Sequence, residues 1–111
     1  MLPKKNRLNL KTKLGREIFK YKTNFTNGLD IYYNKKNKKI FKAAVVVPTK
    51  AVKSAVYRNK IRRDIFNLIR GHNISRRPAD LLVLVKKKEF VLDKKEEFDF
   101  ITQLDSLLNT K

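Results

Sequence analysis

The residues of this chain best suited to chemistry are cations. Arg58, Asn59, Lys60, Arg62 and Arg63 crowd into one short run. Arginine's planar fork matches phosphate oxygens, and asparagine offers a donor and an acceptor to a sugar or base edge, so the run has the makings of a nucleic-acid contact. A solvated helix face is the plainer reading of any charge run, and Asn59 alone weighs only weakly against it. Nothing comparable exists for hydrolysis. Phosphodiester cleavage by protein groups needs a base and metal carboxylates converging on one pocket. The acids gather mainly between Glu89 and Asp99 as helix-start and solvent charges, with Glu17, Asp30, Asp64 and Asp80 scattered. His72 is the only histidine and reads as a solvated residue beside a helix end; no His/Asp/Glu cluster has ligand spacing, so no metal site is expected on the protein.

Charge supports the nucleic-acid reading. The 111 residues carry a formal net charge of +18 and a pI of about 10.4, and a self-repelling chain of that kind needs a polyanion. An anionic membrane would also answer the charge, but no apolar run approaches the roughly 18 residues of a spanning helix, and Met1 to Arg7 lacks the apolar stretch of a signal peptide. No membrane partner and no small-molecule substrate are expected, and the chain reads as cytoplasmic. The absence of cysteine excludes a disulfide framework and any thiolate metal site. The length suits one domain over residues 1–111.

The cationic run must sit on a helix. From Ser54 to Arg70, Ile61, Ile65, Leu68 and Ile69 share one stripe at about 100° per residue, with Asn59, Arg63, Phe66 and Arg70 opposite and Lys60 and Arg62 on the flanks. Ser54 is placed to cap its start, and Gly71 to end it in a left-handed conformation. Before it, Met1 to Arg7 reads as a basic arm carrying Lys4, Lys5 and Arg7. Leu8 to Tyr21 reads as a helix with Leu10, Leu14 and Ile18 on its apolar stripe and Phe19 one step off it. Leu29 to Tyr33 alternates as a strand, with Leu29, Ile31 and Tyr33 on one face and Asp30 and Tyr32 on the other; a shorter strand is possible near Thr23 to Thr26. Asn34 to Lys39 reads as a hairpin connection to an antiparallel strand over Ile40 to Val47, apolar on both faces as a central strand would be. Lys50 and Lys53 lie in the loop that follows. Asp80 to Val85 reads as a buried strand, and Glu96 to Leu108 as a closing core helix. The order gives an α+β sandwich: a central, mostly antiparallel sheet with a basic crossover helix.

The ordered run Arg58, Asn59, Lys60, Ile61, Arg62, Arg63, preceded by Ala55 and Val56, resembles the Arg-Asn-x-x-Lys/Arg-Arg signature of the protein subunit of bacterial ribonuclease P. The likeness covers nearly the whole chain: Lys4, Lys5, Asn6, Arg7, Leu8 at the start, Ile18, Phe19, Lys20 at the end of the first helix, Val47 to Val52 before the signature, and Asp80 to Val85 as the last buried strand. The chain departs from the family pattern at Ala51, where a glycine is usual nearby, at Phe66 and Asn67 in place of Arg and Glu, and at Leu14 and Gly15, where a second aromatic usually stands. The resemblance implies a left-handed crossover of the signature helix, where general chain topology would give a right-handed one. It also implies the function. The subunit would bind the catalytic RNA through Lys50, Lys53, Arg58, Asn59, Lys60, Arg62 and Arg63. It would bind the 5′ leader of precursor tRNA through Phe19 and Tyr32, while RNA and RNA-bound Mg2+ cleave the phosphodiester. Alternation keeps Tyr32 and Tyr33 on opposite faces, so at most one lines a cleft, and the resemblance favours Tyr32. Two rivals stand beside this reading. One is a protein nuclease, for which no catalytic constellation is found; the other is a non-catalytic RNA-binding protein such as a ribosomal protein, which would share the charge but not the ordered signature.

Overall fold

The computed structural model describes residues 6–11, 16–25, 28–36, 39–86, 88 and 90–109. Four strands, β1 (Lys22–Phe25), β2 (Leu29–Asn34), β3 (Phe41–Val46) and β4 (Ala79–Val85), form one sheet in the order β1-β2-β4-β3. β1 with β2 and β2 with β4 are antiparallel, while β3 runs parallel to β4. The basic helix α1 (Ala55–Gly71) is the crossover between the parallel pair, and α2 (Lys94–Asn109) closes the chain. The α+β architecture agrees with the sequence reading.

Two details of the sheet do not. β2 and β3 run in opposite directions but are not neighbours, because β4 lies between them and pairs with both. The connection from Asn34 is therefore no hairpin. Its first residues close a local turn instead, with Asn34 Oδ1 accepting the Lys36 N–H at 2.9 Å. β3, in turn, is the outermost strand rather than a central one. Its free edge is covered by the amino-terminal segment: Arg7 bridges Ala43 in parallel, the Leu8 N–H donates to the Ala43 carbonyl at 2.8 Å, and Asn6 Nδ2 donates to the Phe41 carbonyl at 2.8 Å. A bare strand edge is a row of unpaired donors and acceptors, so covering it is worth more than extending a helix back to Leu8. Before β1, helical backbone among the described residues falls at Asn6, at Arg16 and in the 3-10 turn Glu17–Lys20, with none from Leu8 to Lys11. Lys4, Lys5, Leu14 and Gly15 lie outside the described residues.

Alternation along the strands sorts the core into two layers. Leu29, Ile31 and Tyr33, Phe41, Ala43 and Val45, and Ala79, Leu81, Val83 and Val85 pack with the helices. Tyr32, Ala44 and Leu82 face the other way and pack with Ile18, with Leu8 and Leu10 against them. α1 contributes Ile61, Ile65, Phe66 and Ile69 to the helix side. Each such side chain, fully buried, stabilises the fold by about 1.5–3 kcal/mol before entropy is charged against it. Phe66 was expected on the solvent face. It stands about 100° round the helix from Ile65, yet is only 5% exposed, in the cluster that also holds Phe100, Leu104 and Leu107 of α2. The sheltered arc of α1 is therefore wider than its isoleucine stripe.

The ends of α1 are set by side chains. Ser54 Oγ accepts the Tyr57 N–H at 3.4 Å. At the other end Gly71 is the last helical residue, without the left-handed backbone expected of it, and the His72 N–H closes on the Ile69 carbonyl. His72 is no solvated residue: its side chain is 10% exposed, Nδ1 accepts the Ile74 N–H at 3.0 Å, and Nε2 lies 2.6 Å from Asp105 Oδ1 on α2. With Nδ1 accepting, the proton sits on Nε2 and is donated to Asp105. The lone histidine thus caps the 3-10 turn Asn73–Arg76 and ties it to the closing helix. α2 begins earlier than expected because Asp93 Oδ1 accepts the Glu96 N–H at 2.9 Å.

The loop between β3 and α1 is held from three sides. The Pro48 carbonyl accepts the N–H groups of Ala51 and Val52, the side chains of both residues are buried in the core, and Arg58 Nη1 donates to the carbonyls of Val52 at 3.0 Å and Lys53 at 2.8 Å. Arg58 therefore acts inside the protein as a brace between the first turn of α1 and its approach. Arg58→Ala should lower stability by about 1–2 kcal/mol in denaturant titration, the lower part of the range for charged hydrogen bonds because the group is partly solvated. Arg58→Lys should restore part of it, since both bonds leave a single nitrogen and an ammonium carries three donors on a shorter side chain. The exposed Arg63→Ala should stay within about 0.5 kcal/mol of the parent.

Candidate nucleic-acid interface

Two surfaces carry the residues singled out in the sequence, and they lie on opposite sides of the sheet. The first is the outer ridge of α1 with its loop. Lys50, Lys53, Asn59, Lys60 and Arg63 are exposed, Arg62 half-buried. Asn59 Oδ1 accepts from Arg62 Nη1 at 3.1 Å, which orients the guanidinium and leaves its remaining N–H groups and the Asn59 amide donors available. Lys60 is held by Asp64, 3.1 Å away, in an i,i+4 pair; an exposed pair of this kind is weak and would yield readily to a phosphate. Arg58 differs from the others because its Nη1 is spent on the loop carbonyls. The first turn of α1 contains no acid, so the positive end of the helix is not neutralised from within.

The second surface is the sheet face opposite the helices. Phe19 and Tyr32 meet edge to face there, ring centroids 5.6 Å apart at 69°. Their exposures are unequal: Phe19 is 47% exposed and Tyr32 9%. Tyr32 is packed on Ile18, Ala44 and Leu82, so the ring open to a ligand is Phe19, supported from beneath by Tyr32. Tyr33 faces the core, where burial pushes its phenol above the ordinary tyrosine value, with the nearby Arg77 charge only partly opposing.

Sequence reasoning missed the cations of this second surface. Asp30 shares strand parity with Tyr32 and is 4% exposed. Lys22 Nζ stands 3.4 Å and Lys86 Nζ 3.2 Å from its Oδ2, and both lysines are about half exposed. A buried carboxylate thereby holds two ammonium groups beside the aromatic pair with a net positive charge. Lys36 adds a third, 5.3 Å from the centroid of the Tyr21 ring. A hydrogen bond to Tyr21, then its charge and that of Glu17, raise the Lys36 pKa above the ordinary value, against slight desolvation. The sequence signal was a lone acid between Leu29 and Ile31 on the face of Tyr32, but its partners come from two other segments of the chain.

Among the described residues, no group of three His, Cys, Asp or Glu side chains is arranged to hold a metal ion, and no helix is long and apolar enough to cross a membrane. What the two surfaces offer chemically is phosphate neutralisation and stacking.

Comparison with known proteins accords with this geometry. No curated protein matches the sequence. Among solved structures, the ribonuclease P protein from Thermotoga maritima superposes with a TM-score of 0.59 at 23% identity, over 93% of this chain and 92% of that one. A likeness at that identity speaks for the fold alone. The family model for ribonuclease P matches residues 2–110. Running almost end to end over the basic helix, its braced loop and the sheet beneath, that match places the chain in the Ribonuclease P family, as a protein component of ribonuclease P that binds RNA in tRNA processing.

Proposed function

We propose that this chain is the non-catalytic subunit of a ribozyme holoenzyme, working in the cytoplasm, in which RNA and RNA-bound magnesium cleave precursor tRNA endonucleolytically at the mature 5′ end. The observation that carries this reading is the pairing of two cationic surfaces with described residues that bring no acid-base constellation together. The described residues do not fit a magnesium site of the protein's own: the one buried carboxylate with close ionic partners, Asp30, is already engaged by Lys22 and Lys86. In this reading the ridge of Asn59, Lys60, Arg62 and Arg63, with Lys50 and Lys53, docks on the catalytic RNA, and Arg58 holds the loop that presents the two lysines. Lys4, Lys5 and Arg7 extend the footprint. The 5′ leader lies across the opposite face, a base stacking on Phe19 above Tyr32 while Lys22, Lys36 and Lys86 neutralise its phosphates. A ribosomal protein would share the charge, but the family match runs against that alternative.

The direct test mixes the chain with a bacterial ribonuclease P RNA and a precursor tRNA at near-physiological magnesium. The protein alone should cleave nothing, and adding it should raise cleavage by the RNA. Cleavage by the protein without RNA, or no enhancement with a cognate RNA, would overturn the reading. If the ridge, loop and arm neutralise about six phosphates, log affinity for the RNA should fall with log salt at a slope of roughly −4 to −5; a flat response would show that the charge is no RNA footprint. The two surfaces should also separate by mutation. Arg62→Ala with Arg63→Ala should weaken assembly and lower activity on every substrate, since phosphate contacts position without reading sequence. Phe19→Ala should leave assembly intact and weaken holoenzyme binding of precursor tRNA, but not of mature tRNA, by about 1–3 kcal/mol for one lost stacking partner. Equal losses for the two tRNAs would reduce Phe19 to packing.

A further inference from the structure

A third feature lies on the helix side of the sheet, away from Phe19 and Tyr32. A cleft of about 560 Å³ opens between the β3–α1 loop and the segment leading into α2. Its volume falls in the range of about 300–1,000 Å³ typical of ligand pockets. Lys50, Lys53 and Lys88 stand on it, all three exposed, while Val52 and Phe90 give it a buried apolar floor. Tyr57, 63% exposed, and Val91, 69% exposed, form two more of its apolar surfaces. Among the described residues, no carboxylate lines it. The acid-free first turn of α1 borders it through Ser54 and Tyr57.

The lining specifies a ligand that is both flat or apolar and anionic. Lysines alone would serve any phosphate chain, and an apolar floor alone any hydrophobic plug. An aromatic ring left two-thirds in water beside three exposed ammonium groups suits a nucleotide, whose base needs a stacking partner and whose flanking phosphates need cations. The loop that forms one wall is fixed by the Pro48 carbonyl and the Arg58 brace, so the ordering cost of that wall is already met. The cleft also continues the ridge, since Arg58, Asn59 and Arg62 follow Tyr57 within the next turns of α1.

We infer that this cleft receives a single unstacked nucleotide of the catalytic RNA, its base against Tyr57 over Phe90 and Val52 and its neighbouring phosphates on Lys50, Lys53 and Lys88. This deepens the proposed function and rests on it. The ridge supplies sequence-independent attraction, and the cleft supplies register, because only an unpaired residue can leave its stack to enter.

The experiment uses the full chain with its cognate catalytic RNA. Tyr57→Ala should bind the RNA about tenfold more weakly, as for one lost base stack, with an unchanged melting temperature since the ring is mostly in solvent. Tyr57→Trp should bind at least as well as the parent, and Val56→Ala, an exposed neighbour outside the cleft, should be indistinguishable from it. Replacing Val91 by a photoreactive benzoylphenylalanine should cross-link the protein to one unpaired nucleotide. Parent protein that binds and activates the RNA while Tyr57→Ala binds equally well, or cross-links that scatter along paired regions or are lost, would overturn the cleft and leave the proposed function standing. Parent protein that neither binds nor activates the RNA would overturn both.

Discussion

The parallel pairing of β3 with β4 is the constraint on which the rest of the structure depends. Two adjacent parallel strands cannot be joined by a tight turn, so the chain must leave the end of β3, cross a face of the sheet and return to the start of β4. The segment that makes this crossing is α1, and its contact with the sheet follows from necessity rather than from its own composition. A helix with this many cations would be a poor core element if it could rotate freely. Ile61, Ile65 and Ile69 lock its rotation against the sheet, and the cations are then directed outward as a fixed row. β4, taken up between β2 and β3, is paired on both edges and mostly buried, which is why its sequence is nearly continuous apolar residues.

Local patterns were legible in the sequence because local physics makes them. Ser54 as a cap, the Ile61, Ile65 and Ile69 stripe, the alternation of Leu29 to Tyr33 and the core helix ending the chain all depend on residues within a few positions of one another. Strand order does not. Asn34 to Lys39 looks like a hairpin connection because its composition is that of a turn, and nothing in it reveals that β4, some forty-five positions on, takes the place beside β2. The same limit explains Leu8, whose partner is Ala43, and Phe66, which is buried in a core drawn from distant segments of the chain. Gly71 carried a helix-stop signal, but His72 ends the helix because Asp105 and the Ile74 N–H fix its ring from outside.

The candidate site was legible to the same degree. The cations of α1 announce themselves by spacing, and Phe19 and Tyr32 are named by family likeness. Their division of labour is not, since only packing shows that Phe19 is the open ring and Tyr32 its support. Asp30 shows the same limit more sharply. Read alone it is an isolated acid in a strand; folded, it gathers Lys22 from β1 and Lys86 from beyond β4 and fixes positive charge beside the aromatic pair. Arg58 reverses the case: it stands in the middle of the signature, yet its Nη1 serves the backbone.

Strand parity finally accounts for how so small a protein presents separate surfaces. Tyr32 and Tyr33 are adjacent in sequence and must face opposite sides, so the chain that sends Tyr33 into the helix-side core necessarily sends Tyr32 outward to the other layer. Stacked layers of secondary structure lie about 10 Å apart, and the ridge of α1 projects from the far side of its own layer. Under the proposed function, an RNA segment on Phe19 and another on Asn59 and Arg63 would therefore have the sheet and a helix between them. Their phosphates do not compete for the same lysines, and the repulsion between them is damped over more than one Debye length at physiological salt, about 8 Å. A single basic surface of equal charge would attract both segments equally and order neither. On that reading, the sheet in between is what would let one chain hold both at once in different places.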